Sequence, residues 1–96
     1  MTINAPAMYF YSIYSKSLDY YNVPFFASSD KEAINTVRLS VLSGPDRVLA
    51  NRLEDLQLCK VGSFDTEKGV ITGFGPVIVI DILDIPLIQD QKEVSK

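Results

Sequence analysis

The segment from Ser29 to Pro45 constrains the fold more than any other part of the chain. Ser29 is followed three residues later by Glu32, the spacing of a capping box: the serine hydroxyl accepts from the backbone N–H of Glu32, and the glutamate reaches back. Asp30 adds negative charge where the helix dipole is positive. Ala33, Ile34, Val37, Val41 and Leu42 then recur at helical spacing, with Lys31, Asn35, Arg38 and Ser40 mostly on the other side. Gly44-Pro45 supplies a permissive left-handed position and then a ring that cannot continue the helix. The spacing predicts a helix over about residues 30–43, with Phe26 packing on its first turn.

Most of the remaining chain reads as strand. Met8 to Tyr14 is dense in aromatic and β-branched residues. Tyr9, Tyr11 and Ile13 point to one face and Met8, Phe10, Ser12 and Tyr14 to the other, so both faces carry apolar bulk. Ser15 to Pro24 reads as a polar connection, and 46–55 as a helical turn or a loop. Leu56 to Phe64 alternates as a strand, placing Leu56, Leu58, Lys60, Gly62 and Phe64 against Gln57, Cys59, Val61 and Ser63. Asp65 to Gly69 is a turn with positive φ at Gly69, and Val70 to Thr72 pairs back. Gly73-Phe74-Gly75-Pro76 reads as a bend before a buried strand at Val77–Ile80. The expected fold is α+β: a small, mostly antiparallel sheet of about four strands with one principal helix packed on one face.

A chain of 96 residues accommodates one domain and one modest core. A hydrophobic fraction of 47% argues against a disordered chain. Residues 1–7 and 89–96 are expected to be flexible ends. The apolar run from Pro76 to Ile88 is broken by Asp81, Asp84 and Pro86, so no membrane span is expected. The start of the chain lacks the basic segment of a signal peptide. From these features a cytoplasmic location is expected.

The chemistry is limited by what the chain lacks. It contains no histidine, which removes the commonest general base, the commonest metal ligand and any Ser-His or Cys-His pair. One cysteine, Cys59, excludes an internal disulfide and any zinc site built on several thiolates; it reads as a buried small hydrophobe. Glu54 and Asp55 are adjacent and point apart in a strand, and Asp55 is expected to close a turn. Asp81 and Asp84 read as solvent-facing relief in an apolar segment. No catalytic residues, metal or cofactor are therefore expected, and the chain reads as a binding protein.

Two binding surfaces are conceivable. Tyr9, Tyr11, Tyr14, Tyr20 and Tyr21 with Lys16 could stack on single-stranded nucleic acid, or could fill the core and a dimer interface. The net charge of −3 opposes polyanion binding unless Arg38, Arg47, Arg52 and Lys60 gather on one side. The candidate nucleic-acid-binding set is thus Tyr9, Tyr11, Lys16, Arg38, Arg47, Arg52 and Lys60. Apolar Val77–Ile88 and exposed strand edges point instead to a protein partner or a symmetric, edge-paired homodimer.

The order Pro24-Phe25-Phe26, a capped helix, then Glu54-Asp55-Leu56-x-Leu58-x-x-x-Gly62-x-Phe64-Asp65 and Gly69 resembles the small non-structural protein of gokushoviruses. These are single-stranded-DNA microviruses of bacteria. The likeness runs over about residues 8–72. Leu53 stands where that family often has proline, and Cys59 where it often has an aromatic residue. The resemblance implies a non-structural, DNA-binding phage protein working in the host cytoplasm. Its role would lie in viral single-strand synthesis or genome packaging, with single-stranded DNA and the viral replication or packaging proteins as partners. It brings no catalytic residues.

Overall fold

A computed structural model of the chain describes residues 7–86 except 44–52. Its organising strand is β1 (Ala7–Ser15), which pairs on both sides. On one side run β2 (Tyr20–Tyr21) and β3 (Phe25–Ala27), and on the other β4 (Leu56–Asp65). The final strand, β5 (Val70–Asp81), pairs with β4, and every pairing is antiparallel. The sheet thus has five strands in the order β2-β1-β4-β5, with β3 also on β1. One helix, α1 (Asp30–Ser43), covers one face, as expected for an α+β chain, and its bounds agree with the capping signal.

The stretch expected to be a mere connection, 15–24, forms the return of a hairpin. Residues 16–19 turn the chain, with Asp19 in the left-handed region at φ 54°. Aspartate tolerates that conformation better than bulkier residues do. The link between β2 and β3 stays tied to β1: the Asn22 N–H donates to the Ile13 carbonyl at 2.9 Å, and the Ser12 hydroxyl donates to the Asn22 carbonyl at 2.6 Å. Pro24 has no N–H to donate, so the returning strand is interrupted there before β3 resumes.

Three register shifts interrupt the sheet, and the one between β1 and β4 corrects the strict alternation read from β4. Tyr11 faces Lys60 whereas Phe10 faces Gly62, so Val61 is an extra residue in β4. Beyond this bulge the phase reverses. Gly62 and Phe64 therefore share the face of Phe10 and Met8, not the face of Leu58 and Tyr11. Across the same bulge β5 carries its own excess, since Lys60 faces Val77 and Gly62 faces Gly73. The expected bend at residues 73–76 is this irregularity inside one strand of 12 residues, not a break between two strands. Gly62 is needed at the crossing: a Cβ there would lie 2.8 Å from the Thr72 carbonyl oxygen and 3.4 Å from Cδ2 of Phe10.

The core lies between the helix and one sheet face. Tyr11 and Leu58 are fully buried, with Ala27, Ala33, Val37, Leu56, Ile82 and Ile85 around them. Ile82 and Ile85 arrive from the 3-10 turn Ile82–Asp84 that follows β5, which closes the open end of the core. The N-terminus of α1 is capped nearly as the spacing implies. The Glu32 N–H donates to Ser29 Oγ at 3.1 Å, but the Glu32 carboxylate reaches back to the N–H and hydroxyl of Ser28, at 2.5 and 2.6 Å. Those bonds hold its carboxyl below the usual range. Phe26 does not pack on the first turn of the helix; it lies tilted against Phe10, at 4.7 Å between ring centroids. The expected Gly44-Pro45 stop and the side chains of Val41 and Leu42 lie outside the described residues.

Truncating Leu58 to alanine removes a fully buried side chain at the centre of the core. The expected cost is about 2–5 kcal/mol in urea denaturation. Gly62→Ala should cost about 1–3 kcal/mol, because the Thr72 carbonyl is backbone and cannot step aside cheaply.

Candidate functional site

Because β1 alternates, it builds two different surfaces. On the helix side the Tyr11 ring stacks on Phe25, with centroids 5.9 Å apart, and meets Tyr9 edge-on at 6.5 Å. Its hydroxyl donates to Asp30 Oδ1 at 2.7 Å. The same oxygen receives Lys60 Nζ at 3.0 Å, and that ammonium lies 4.5 Å from the centre of the Tyr9 ring. Burial, then the bond to Asp30, pushes the Tyr11 hydroxyl far above its ordinary pKa. The Tyr11 bond, assisted by Lys60 and opposed by partial desolvation, holds the Asp30 carboxyl below its ordinary value.

The opposite face, without the helix, carries two ring pairs. Phe10 and Phe26 are one, and Tyr14 and Tyr21 the other, at 4.5 Å between centroids. Each pair joins β1 to the returning strand at directly facing positions. Phe10 and Tyr14 are four residues apart on β1, so the pairs are separated by about 13 Å along the strand. Phe26 is 57% exposed and Tyr21 is 41% exposed, which leaves ring surface open to a ligand. The Tyr14 hydroxyl donates to Asp19 Oδ1 at 2.5 Å, a bond that pushes its pKa up to about 12. Lys16 is exposed in the turn at the tyrosine end of this row.

The sequence-derived binding set is therefore divided. Tyr11 has no exposed surface and belongs to the core, so its ring cannot receive a base. Tyr9 is half-buried beside it, and Lys60 is paired with Asp30. Arg38 lies on the helix and donates to Asn35 one turn away. Arg47 and Arg52 lie outside the described residues. Lys16 alone of the set adjoins the ring row through the turn. Phe10 and Phe26, absent from that set, form the more open pair. Their adjacency rests on facing positions in β1 and β3, a pairing that no local sequence pattern announces.

The carboxylates and the thiol have structural surroundings. Asp55, in the 3-10 turn Leu53–Asp55 ahead of β4, accepts from the Ser15 hydroxyl at 2.6 Å and from the Ser17 N–H at 2.8 Å. It closes a turn as expected, although that turn is the distant one after β1. Asp81 accepts from the Gln57 amide at 2.9 Å and faces solvent, as does Asp84. Cys59 is buried, and that burial pushes its thiol pKa up. Among the described residues no three histidine, cysteine or acidic side chains gather as a metal site, and no helix is long and apolar enough to cross a membrane.

Residues 8–85 match the family model described as Phage ORF5 protein, a span that takes in all the described strands and the helix apart from Ala7; the chain belongs to that family. No protein of curated function matches the chain. No solved structure matches it.

The lowered Asp30 pKa makes this tie acid-sensitive. Its contribution is complete above the ordinary carboxylate range, near pH 4, and is lost as pH falls through the lowered folded-state value. Asp30→Asn should therefore flatten the acid limb of a plot of melting temperature against pH, relative to wild type. Tyr11→Phe should cost about 1–2 kcal/mol near neutral pH, because the half-exposed Asp30 carboxylate loses one of the two donors that meet it.

Proposed function

We propose that this phage protein is a non-enzymatic binder of single-stranded DNA, acting in the infected bacterial cytoplasm during viral strand synthesis or genome packaging. The observation that carries the reading is the row of two open ring pairs on the face opposite the helix. Bases stack on aromatic faces without regard to sequence, and each such contact contributes about 1–3 kcal/mol. Membership of a phage family supplies the setting, and the resemblance to gokushovirus non-structural proteins supplies the nucleic acid.

Charge then dictates how such binding behaves. With a net charge of −3 and Lys60 paired with Asp30, counterion release contributes little. Stacking carries the affinity, and the salt dependence is shallow. A second reading is an adaptor or homodimeric regulatory module that contacts the replication or packaging proteins and never touches DNA. It is favoured by the exposed apolar length of β5.

Fluorescence anisotropy with a labelled single-stranded oligonucleotide separates the two. Binding by stacking gives a slope of log affinity against log salt of magnitude below about 2, corresponding to few phosphate contacts. Phe26→Ala and Tyr21→Ala should each weaken it by about 5- to 150-fold. No binding at tens of micromolar protein in low salt would sink direct DNA contact and leave the adaptor reading.

A further inference from the structure

We propose that two copies of this chain pair through the outer edge of β5, antiparallel and about a two-fold axis between Phe74 and Gly75, joining two sheets into one. β5 is the end strand of the sheet, bonded to β4 on one side only among the described residues. Sheet edges in soluble proteins are normally blunted by charged side chains or short length. From Val70 to Ile80 this strand holds no charged residue. Val70, Ile71, Phe74, Val77 and Ile78 are all exposed, Ile71 at 65% and Ile78 at 59%. Pro76 and the irregular pairing of residues 73–77 lie beside the proposed axis, and a further register shift falls at Val79.

A second copy is the occupant because the strand is complementary to itself. Facing positions in adjacent strands share a sheet face. Ile71 faces Phe64 and Ile78 faces Cys59, which places both on the ring-pair face. Thr72 faces Ser63 and Val77 faces Lys60, which places both on the helix face. A two-fold axis perpendicular to the sheet keeps those faces aligned between copies. Setting Ile71 of one copy against Ile78 of the next also sets Thr72 against Val77 and brings the hairpin turn that carries Lys68 to the Asp81 end of the partner strand. Apolar thus meets apolar on one face, and opposite charges are brought near one another at both ends. A shift of two residues either way places Ile71 against Pro76 or Ile78 against Gly73, which strands an exposed isoleucine on the bent segment.

The glycines beside the axis fit the same arrangement. Neither Gly73 nor Gly75 has positive φ, and a Cβ at either would meet nothing within 4 Å in its own chain. The fold of one chain therefore does not require glycine there. Glycine within a strand often marks a place where another backbone approaches closely, which suits a second copy at that point. This pairing is independent of the DNA-binding reading, since it uses the β5 edge and leaves both ring pairs uncovered.

The test uses full-length chains carrying Thr72→Cys or Val77→Cys, both at exposed positions, oxidised separately and as an equimolar mixture. Facing Cα atoms in an antiparallel pair are about 4.5–5.5 Å apart, within disulfide reach. Like positions in the proposed register lie about 17 Å apart, beyond it. The expected result is a disulfide-linked dimer in the mixture and in the double variant, little in either single variant, and none in wild type, whose Cys59 is buried. Light scattering of wild type at about 100 µM should give twice the chain mass, and Ile78→Lys should return it to the monomer with its helical circular dichroism intact. A monomeric wild type would overturn the proposal. So would cross-linking as strong in the single variants as in the mixture.

Discussion

The hydroxyl of Tyr11 and the carboxylate of Asp30 join the helix to the sheet, and much of the rest depends on that bond. A tyrosine buried in a core must find a partner for its oxygen, or lose the hydrogen bond it made with water. Asp30 provides one from the first turn of α1, where its charge also suits the helix dipole. Lys60, entering from β4, balances that charge and lies over the Tyr9 ring. Three separate segments are thereby fixed to one oxygen atom. The price is that the cation best placed on the helix face is unavailable to an external anion.

What could be read from the sequence was local. The helix bounds, the capping serine, the turn at Gly69 and the burial of Cys59 follow from neighbours within a few residues, and all appear in the structure. What escaped was set by pairing. β2 spans two residues, too few for any periodic signal, and exists because Tyr20 and Tyr21 find the end of β1. The bulge at Val61 leaves no mark in composition, yet it transfers Gly62 and Phe64 to the other face. The candidate site suffered most: alternation in β1 shows two apolar faces but not which one the helix covers. Tyr11 therefore entered the binding set although it is core, and Phe10 with Phe26 was passed over.

The block from Glu54 to Gly69 acquires a mechanical meaning. Asp55 fastens the turn after β1, Leu58 fills the core, and Gly62 lets β5 cross close by. Asp65 accepts from the N–H groups of Glu67 and Lys68, and Gly69 completes the turn. These residues specify the β4–β5 hairpin and its attachment to β1. They are an architectural signature, and the candidate ligand surface lies largely outside them, on β1, β2 and β3.

The bond between Ser15 and Asp55 spans 40 residues of chain. On a ribosome adding about 5–20 residues per second, β1 emerges roughly two to eight seconds before Asp55 emerges to fasten it. During that interval an aromatic, β-branched strand stands without β4, the kind of segment that aggregates when left exposed. The hairpin return through β2 and β3 is available at once, because its partners lie close by in the chain. Those short strands, which add little area to the finished sheet, can thus shelter one edge of β1 while the nascent protein waits for its second half.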